Sequence, residues 1–309
     1  MNRIEIDQIL SKIQATEKEG AGNPRVKEIF NRLLRDLFYA IEDLNITDTE
    51  LWMALDYLNK AGREGEWGLL YAGTGLEHYI DERLDWEDAQ AGLIPKTPRT
   101  IEGPLYVAGS PETQSFAHLE TVPEKDAERL YMQGYVLDES GAPVEGALIE
   151  VWHCNLKGMY SHFDSTQPEF NLRRAIRTGK DGKYQFKSFL PVGYSCPPGG
   201  STDLLMTALG RHGSRPAHIH FFVTAPKFRK LTTQINIAGD PLLGQDFAFA
   251  DKDGLVPEIT RISLEQAKEN GMDEPYASID FNFNIVRERD GIALGENHRK
   301  RASADPQNA

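Results

Sequence analysis

The sequence predicts an α+β protein, with an N-terminal α-helical domain over residues 1–100 and an antiparallel β-sandwich or barrel over residues 101–309. Three observations predict it. At 309 residues the chain is long enough to build two separate cores. Apolar residues in the first third recur at three- and four-residue steps, the period of a helix with one buried face. After TPRTIEGPLY the pattern changes to short β-type runs separated by turn residues.

The first segment, MNRIEIDQILSKIQ, mixes charges among its apolar positions and has no apolar core of a signal peptide, so a cytoplasmic location is expected. In NPRVKEIFNRLLRDLFYAIEDLN the residues Val26, Ile29, Phe30, Leu33, Leu34, Leu37, Phe38, Ile41 and Leu44 make a wide apolar face, with Asn23-Pro24 as cap and first turn. Thr47 and Glu50 have capping-box spacing before LWMALDYLNKAG, and Gly62 is the expected stop. TGLEHYIDERLDWEDAQAG predicts a further helix, again closed by glycine. The stripe beginning at Val26 is wider than a lone helix needs, so a partner helix, a second subunit or an apolar ligand has to cover it.

The β-type runs are LYMQGYVLD, ALIEVWHCN, GKYQFKSFLP, AHIHFFVTA, LTTQINIAG and SIDFNFNIV, rich in β-branched and aromatic residues. Their spacing suits antiparallel neighbours joined by turns such as ESGAPVEG. A short helix is expected around Leu264–Asn270, and the tail from Asn297 reads as polar and mobile.

A net charge of −13 argues against a broad nucleic-acid-binding surface and suits a protein that handles small molecules. The Lys227, Arg229, Lys230 cluster is local and reads as a solvated turn. No apolar run approaches the roughly 18 residues needed to span a bilayer. Cys154 and Cys196 are too few for a secreted disulfide framework and read as small buried thiols.

The chemistry begins at RPAHIH, residues 215–220. In a strand, His218 and His220 project from one face while Ala217, Ile219 and Phe221 project from the other, so two imidazoles can share a metal ion. The following FFVTAPKFRK supplies no carboxylate, and the two cysteines lack the paired spacing of a zinc site. The neighbouring β-segments instead supply tyrosines in glycine-containing loops, Tyr160 in LKGMYSHFD and Tyr194 in LPVGYSCPP. A phenol has a pKa of about 10, so it ligates at neutral pH only to a metal acidic enough to take its proton. Phenolate is a hard donor that favours Fe(III), and imidazole tolerates many metals.

Taken together, NPRVKEI, IEDLNIT, TPRTIEGPLYVAG, IEVWHCNLKGMYSHFD, LPVGYSCPP, LGRHGSRPAHIHFFV, LTTQINIAGD and DFAFA closely resemble the intradiol ring-cleaving catechol dioxygenases, from about Gly20 to Val286. The resemblance implies an N-terminal helical dimerisation domain, a β-sandwich catalytic domain and one non-haem Fe(III) per subunit, held by Tyr160, Tyr194, His218 and His220. It implies a homodimer joined through the N-terminal helices, which enclose an apolar tunnel for a phospholipid-like amphiphile. It implies reaction of catechol with O2 to give cis,cis-muconate, with Tyr194 leaving the metal as substrate binds. Arg215 would stabilise negative charge on the ring, assisted by Gln234. The substrate wall would be Leu69, Ala72, Ile101, Pro104, Leu105, Tyr106, Phe247 and Ala248. Some relatives carry proline where this chain has Ala72, so room for a ring substituent is expected, and Cys154 and Met159 flank the Tyr160 loop as further points of difference. The competing readings are a sister enzyme acting on chlorocatechol or hydroxyquinol, and a non-catalytic sandwich that binds a sugar or protein.

Overall fold

Five helices precede the first strand in the computed structural model, which describes residues 1–18, 20–288 and 301–303. The chain divides into two compact units, Met1–Glu64 and Gly65–Ala309. In the first unit, the Arg3–Gln14 helix starts with a capping box between Asn2 and Glu5. The periodic segment forms the helix Pro24–Leu44, where Asn23 Oδ1 accepts the N–H groups of Arg25 and Val26. The helix ends at Asn45, whose backbone is left-handed at φ 52°. None of its residues is buried, and Val26, Phe30 and Leu33 stay more than half exposed.

Thr47 and Glu50 exchange hydrogen bonds at the start of the next helix, Asp48–Glu64. Gly62 does not end it. The helix continues through Gly62, and Gly65, at φ 69°, follows its last residue: a stop of this kind needs the left-handed conformation, and only the second glycine adopts it.

In the second unit, the helices Trp67–Gly73 and Leu76–Gln90 are separated by Gly75 at φ 80°. Two sheets then stack as a sandwich. One runs in the order Leu231–Asn236, His218–Thr224, Leu148–Trp152, Arg173–Arg177, Glu112–Gln114. The other runs Thr260–Ile262, Tyr276–Asp280, Arg129–Leu137, Lys183–Phe189, Phe116–His118, with Phe283–Asn284 also on Arg129–Leu137. Ile149, Val151, Ile219, Phe221 and Ile235 of the first meet Leu130, Met132, Tyr184, Phe186 and Ile279 of the second in one core.

The sheets are mixed, which corrects the antiparallel expectation. Glu112–Gln114 is parallel to Arg173–Arg177, Phe116–His118 to Lys183–Phe189, and Tyr276–Asp280 to Arg129–Leu137. The physical reason is connectivity. Hairpins force antiparallel pairing, whereas strands that arrive over long connections are free to run parallel. Ser115, at φ 56°, turns the chain from one sheet edge to the other, donating its N–H to the Arg177 carbonyl and accepting that of Gln185. The short helix forms over Leu264–Glu269 with a Ser263–Gln266 capping box. The tail expected to be mobile is paired where it is described: Ala302–Ser303 lies parallel to Val107–Ala108, and Arg301 forms an ion pair with Glu102. Asn297 lies outside the described residues. No helix among the described residues is long and apolar enough to cross a membrane.

Candidate metal centre

The His218–Thr224 strand is buried on both faces, so its two sides differ in chemistry rather than in exposure. Ala217, Ile219, Phe221 and Val223 enter the core between the sheets, and His218 and His220 face away from it. In register, His220 stands opposite Trp152 on one neighbour and Gln234 on the other. The Trp152 ring lies flat on the His220 ring, centroids 4.9 Å apart and 5° from parallel, which fixes that imidazole in rotation.

Tyr160 arrives through a tight turn after Leu148–Trp152. Asn155 Oδ1 accepts the N–H groups of Lys157 and Met159, and Gly158 holds φ 74°. Tyr194 is placed by a two-residue pairing in which Tyr194 and Ser195 face Arg215 and Ser214. Tyr160 Oη lies 3.4 Å from Tyr194 Oη, Tyr194 Oη 3.3 Å from His218 Nε2, and His218 Nε2 3.1 Å from His220 Nε2. His218 Nδ1–H donates to the Pro216 carbonyl at 2.6 Å, which leaves the Nε2 lone pair facing the other donors.

These four residues fit a metal ion. Two donors each about 2.1 Å from one ion stand about 3.0–3.4 Å apart, the range seen here. Among the described residues no group of three or more His, Cys, Asp and Glu could hold a metal, so an ion at this place would need the two phenols among its donors. Burial pushes the Tyr160 phenol well above its usual range and raises that of Tyr194, where the Arg215 charge partly offsets it. Burial lowers His218 to about 3, with the Arg215 charge adding to the effect, and His220 falls well below its usual value. Both imidazoles are therefore neutral and able to donate a lone pair, while the phenols need a strong Lewis acid to ionise.

Arg215 points into the centre. Its Nη1 donates to His218 Nε2 at 3.0 Å and its Nη2 to Gln234 Oε1 at 2.7 Å. Pro216, between Arg215 and the strand proper, breaks the alternation that by count would turn it away. Sequence reasoning missed its anchor, Asp246, a fully buried carboxylate that accepts from Arg215 Nε and Nη2 and from the backbone N–H groups of Ala248 and Ala250. The only local signal was its place at the head of DFAFA. Burial depresses the Arg215 guanidinium, but the Asp246 carboxylate outweighs that and keeps it charged.

A cavity of about 270 Å³ opens onto Tyr160, Tyr194, Arg215 and His220. Leu69, Ala72, Ile101, Pro104, Leu105, Phe247 and Ala248 line it, joined by Gly158, Met159, Phe163, Cys196 and Pro197. Tyr106 is set behind this wall, its ring against Trp152 and Phe222 and its hydroxyl donating to Glu150. His218 and Gln234 sit one layer deeper than the lining. Burial raises both thiols, that of Cys154 to about 12, so neither is a ready nucleophile. A slightly larger cavity of about 310 Å³ is lined by charged groups including Glu77, Asp81, Arg99 and Arg229, and it holds no such set of convergent donors.

Residues 101–288 match the family described as Dioxygenase, and residues 23–92 match the family of catechol dioxygenase N termini. A catechol 1,2-dioxygenase 2 of Acinetobacter lwoffii is 57% identical over 267 residues, covering 86% of this chain and 96% of the relative. A catechol 1,2-dioxygenase of Acinetobacter guillouiae is 48% identical over 296 residues, 95% of this chain and 97% of the relative. The crystal structure of wild-type Acinetobacter radioresistens catechol 1,2 dioxygenase superposes with a TM-score of 0.94 at 48% identity, over 98% of this chain and 99% of that one.

Proposed function

The chain belongs to the intradiol catechol dioxygenase family, and from that premise we infer that it opens catechol between its two hydroxylated carbons, adding both atoms of O2 to give cis,cis-muconate. The observation that carries the reading is the convergence of two phenols and two imidazoles at the end of an apolar cavity. Tyr160, Tyr194, His218 and His220 would hold one non-haem Fe(III) per subunit, which when bound supplies Lewis acidity toward the diol.

The remaining work belongs to the chain. Tyr194, seated on a two-residue pairing with Arg215 and Ser214, would accept one catechol proton at Oη as substrate binds. Arg215 presents a fixed positive charge to the side where negative charge grows on the ring, and Asp246 and Gln234 hold it there. Leu69, Ile101, Pro104, Leu105, Phe247 and Ala248 clamp a flat aromatic ring and exclude water. Ala72 leaves space beside that ring, so 3- or 4-methylcatechol should also be cleaved; absence of turnover with both rejects that part.

Functionally the chain divides at residue 100. Residues 1–100 form the dimerisation domain, whose helices join two subunits around an apolar tunnel for a phospholipid-like amphiphile, and the Trp67–Gly73 helix lends Leu69 and Ala72 to the catalytic cavity. Residues 101–309 carry the catalytic sandwich, and the enzyme works in the cytoplasm in aromatic-compound degradation by the β-ketoadipate route. The test is an air-saturated assay of muconate absorbance with catechol, 4-chlorocatechol and hydroxyquinol, alongside iron analysis. Iron-bearing, wine-red protein that turns over catechol fastest supports the reading. Preference for either substituted diol points to a sister enzyme, and colourless, inactive protein points to a binding module.

A further inference from the structure

Arg173 opens the Arg173–Arg177 strand, opposite Trp152 in register, and is only 1% exposed. Its Nε donates to Ser161 Oγ at 2.9 Å and its Nη2 to the Ser161 carbonyl at 3.0 Å. Nη1 has no hydrogen-bond partner, and among the described residues the guanidinium forms no ion pair. The other buried arginines are neutralised: Arg99 and Arg229 share Asp88, and Arg215 has Asp246. A buried cation without a counter-charge is strongly unfavourable, so one that is retained calls for a partner. What it faces is Tyr160, whose ring centroid lies 5.7 Å from the guanidinium carbon.

We propose that Arg173 is the fixed counter-charge of Tyr160, held by Ser161 beside the ring so as to balance the negative charge that Tyr160 carries as a metal ligand. The inference rests on the ligand set proposed above. A fixed positive charge in a dry interior lowers the energy of electrons on the neighbouring ring, and salt screens it little. Moving an electron from Tyr160 to the metal therefore takes more energy with Arg173 present than without it.

Arg173→Gln keeps a hydrogen-bonding group near Ser161 and removes the charge; Arg173→Lys keeps the charge and loses the planar fork. In iron-loaded protein, the visible phenolate-to-metal absorption band of Arg173→Gln moves to longer wavelength, and that of Arg173→Lys stays near the parent position. A glutamine variant whose band stays at the parent wavelength overturns the proposal, as does a lysine variant shifted as far as the glutamine one. Should Arg173→Gln not fold, Ser161→Ala releases one anchor of the guanidinium and gives a smaller shift in the same direction, with an unmoved band again overturning it. A colourless parent would remove the ligand set itself, whereas a coloured parent with unmoved variants removes only the role of Arg173.

Discussion

Arg215 uses its whole donor fork: Asp246 takes Nε and Nη2, Gln234 shares Nη2, and His218 receives Nη1. Losing a preorganised charge of this kind costs about 10²–10³ in kcat, the loss expected for Arg215→Met. Among the described residues lining the catalytic cavity Arg215 is present and Asp246 is not, so Asp246 acts by positioning Arg215. Asp246→Asn should lower kcat by less, and in the double variant should add almost nothing to Arg215→Met; multiplicative losses in steady-state kinetics would count against the clamp. His153, outside the centre, gives a stability prediction. Its ring is pinned between the Cys154 carbonyl and Ser188 Oγ, and burial lowers it to about 4 from an ordinary 6.5. Between those values the unfolded chain binds a proton that the native state does not, so stability is full above pH 6.5 and falls as pH drops toward 4, by about 3 kcal/mol at most. His153→Gln should flatten the thermal midpoint over that window relative to the parent; parallel pH profiles would show that His153 binds its proton equally well in the folded and the unfolded chain.

At the level of elements, the centre is assembled from one strand and two loops, and the loops fit each other closely. Gly158 holds φ 74°, and a Cβ there would stand 2.6 Å from Tyr194 Cβ. An alanine meets both backbone strain and a steric conflict with a proposed ligand. Gly158→Ala should therefore keep its far-ultraviolet circular dichroism but bind less iron per subunit and lose most of its visible colour. Full iron content at parental colour would show that the two loops yield to each other easily. The strand itself is far less yielding, because His218–Thr224 is hydrogen-bonded on both sides and buried on both faces.

For the whole molecule, the unresolved demand is the exposed apolar stripe of the Pro24–Leu44 helix, where Val26, Phe30, Leu33 and Leu37 recur on one face. The proposed homodimer would cover it. Light scattering should give twice 34.7 kDa for the parent and a single chain for the Phe30→Glu, Leu33→Glu variant. Among the described residues every side chain lining the catalytic cavity falls between Leu69 and Ala248, so muconate formation per subunit should survive in that variant. Mass spectrometry of organic extracts should find acyl chains in the parent; their absence removes the lipid tunnel and leaves the dimer.

By itself the sequence determined what local pattern encodes: the Asn23 and Thr47–Glu50 caps, and the two imidazoles on one face of His218–Thr224. These depend on neighbours two to four residues apart, where backbone geometry alone says which side chains share a face. Only the tertiary structure decided that the sheets are mixed, that Gly65 rather than Gly62 follows the end of the third helix, that Tyr106 stands behind the wall, and that Arg215 turns inward onto Asp246. The approach of Tyr160, Tyr194 and the two histidines, and of Arg173 to Tyr160, belongs to the same class. Each depends on which distant segments lie side by side, and that is set by closing long connections around one shared core, a property no short window of residues contains.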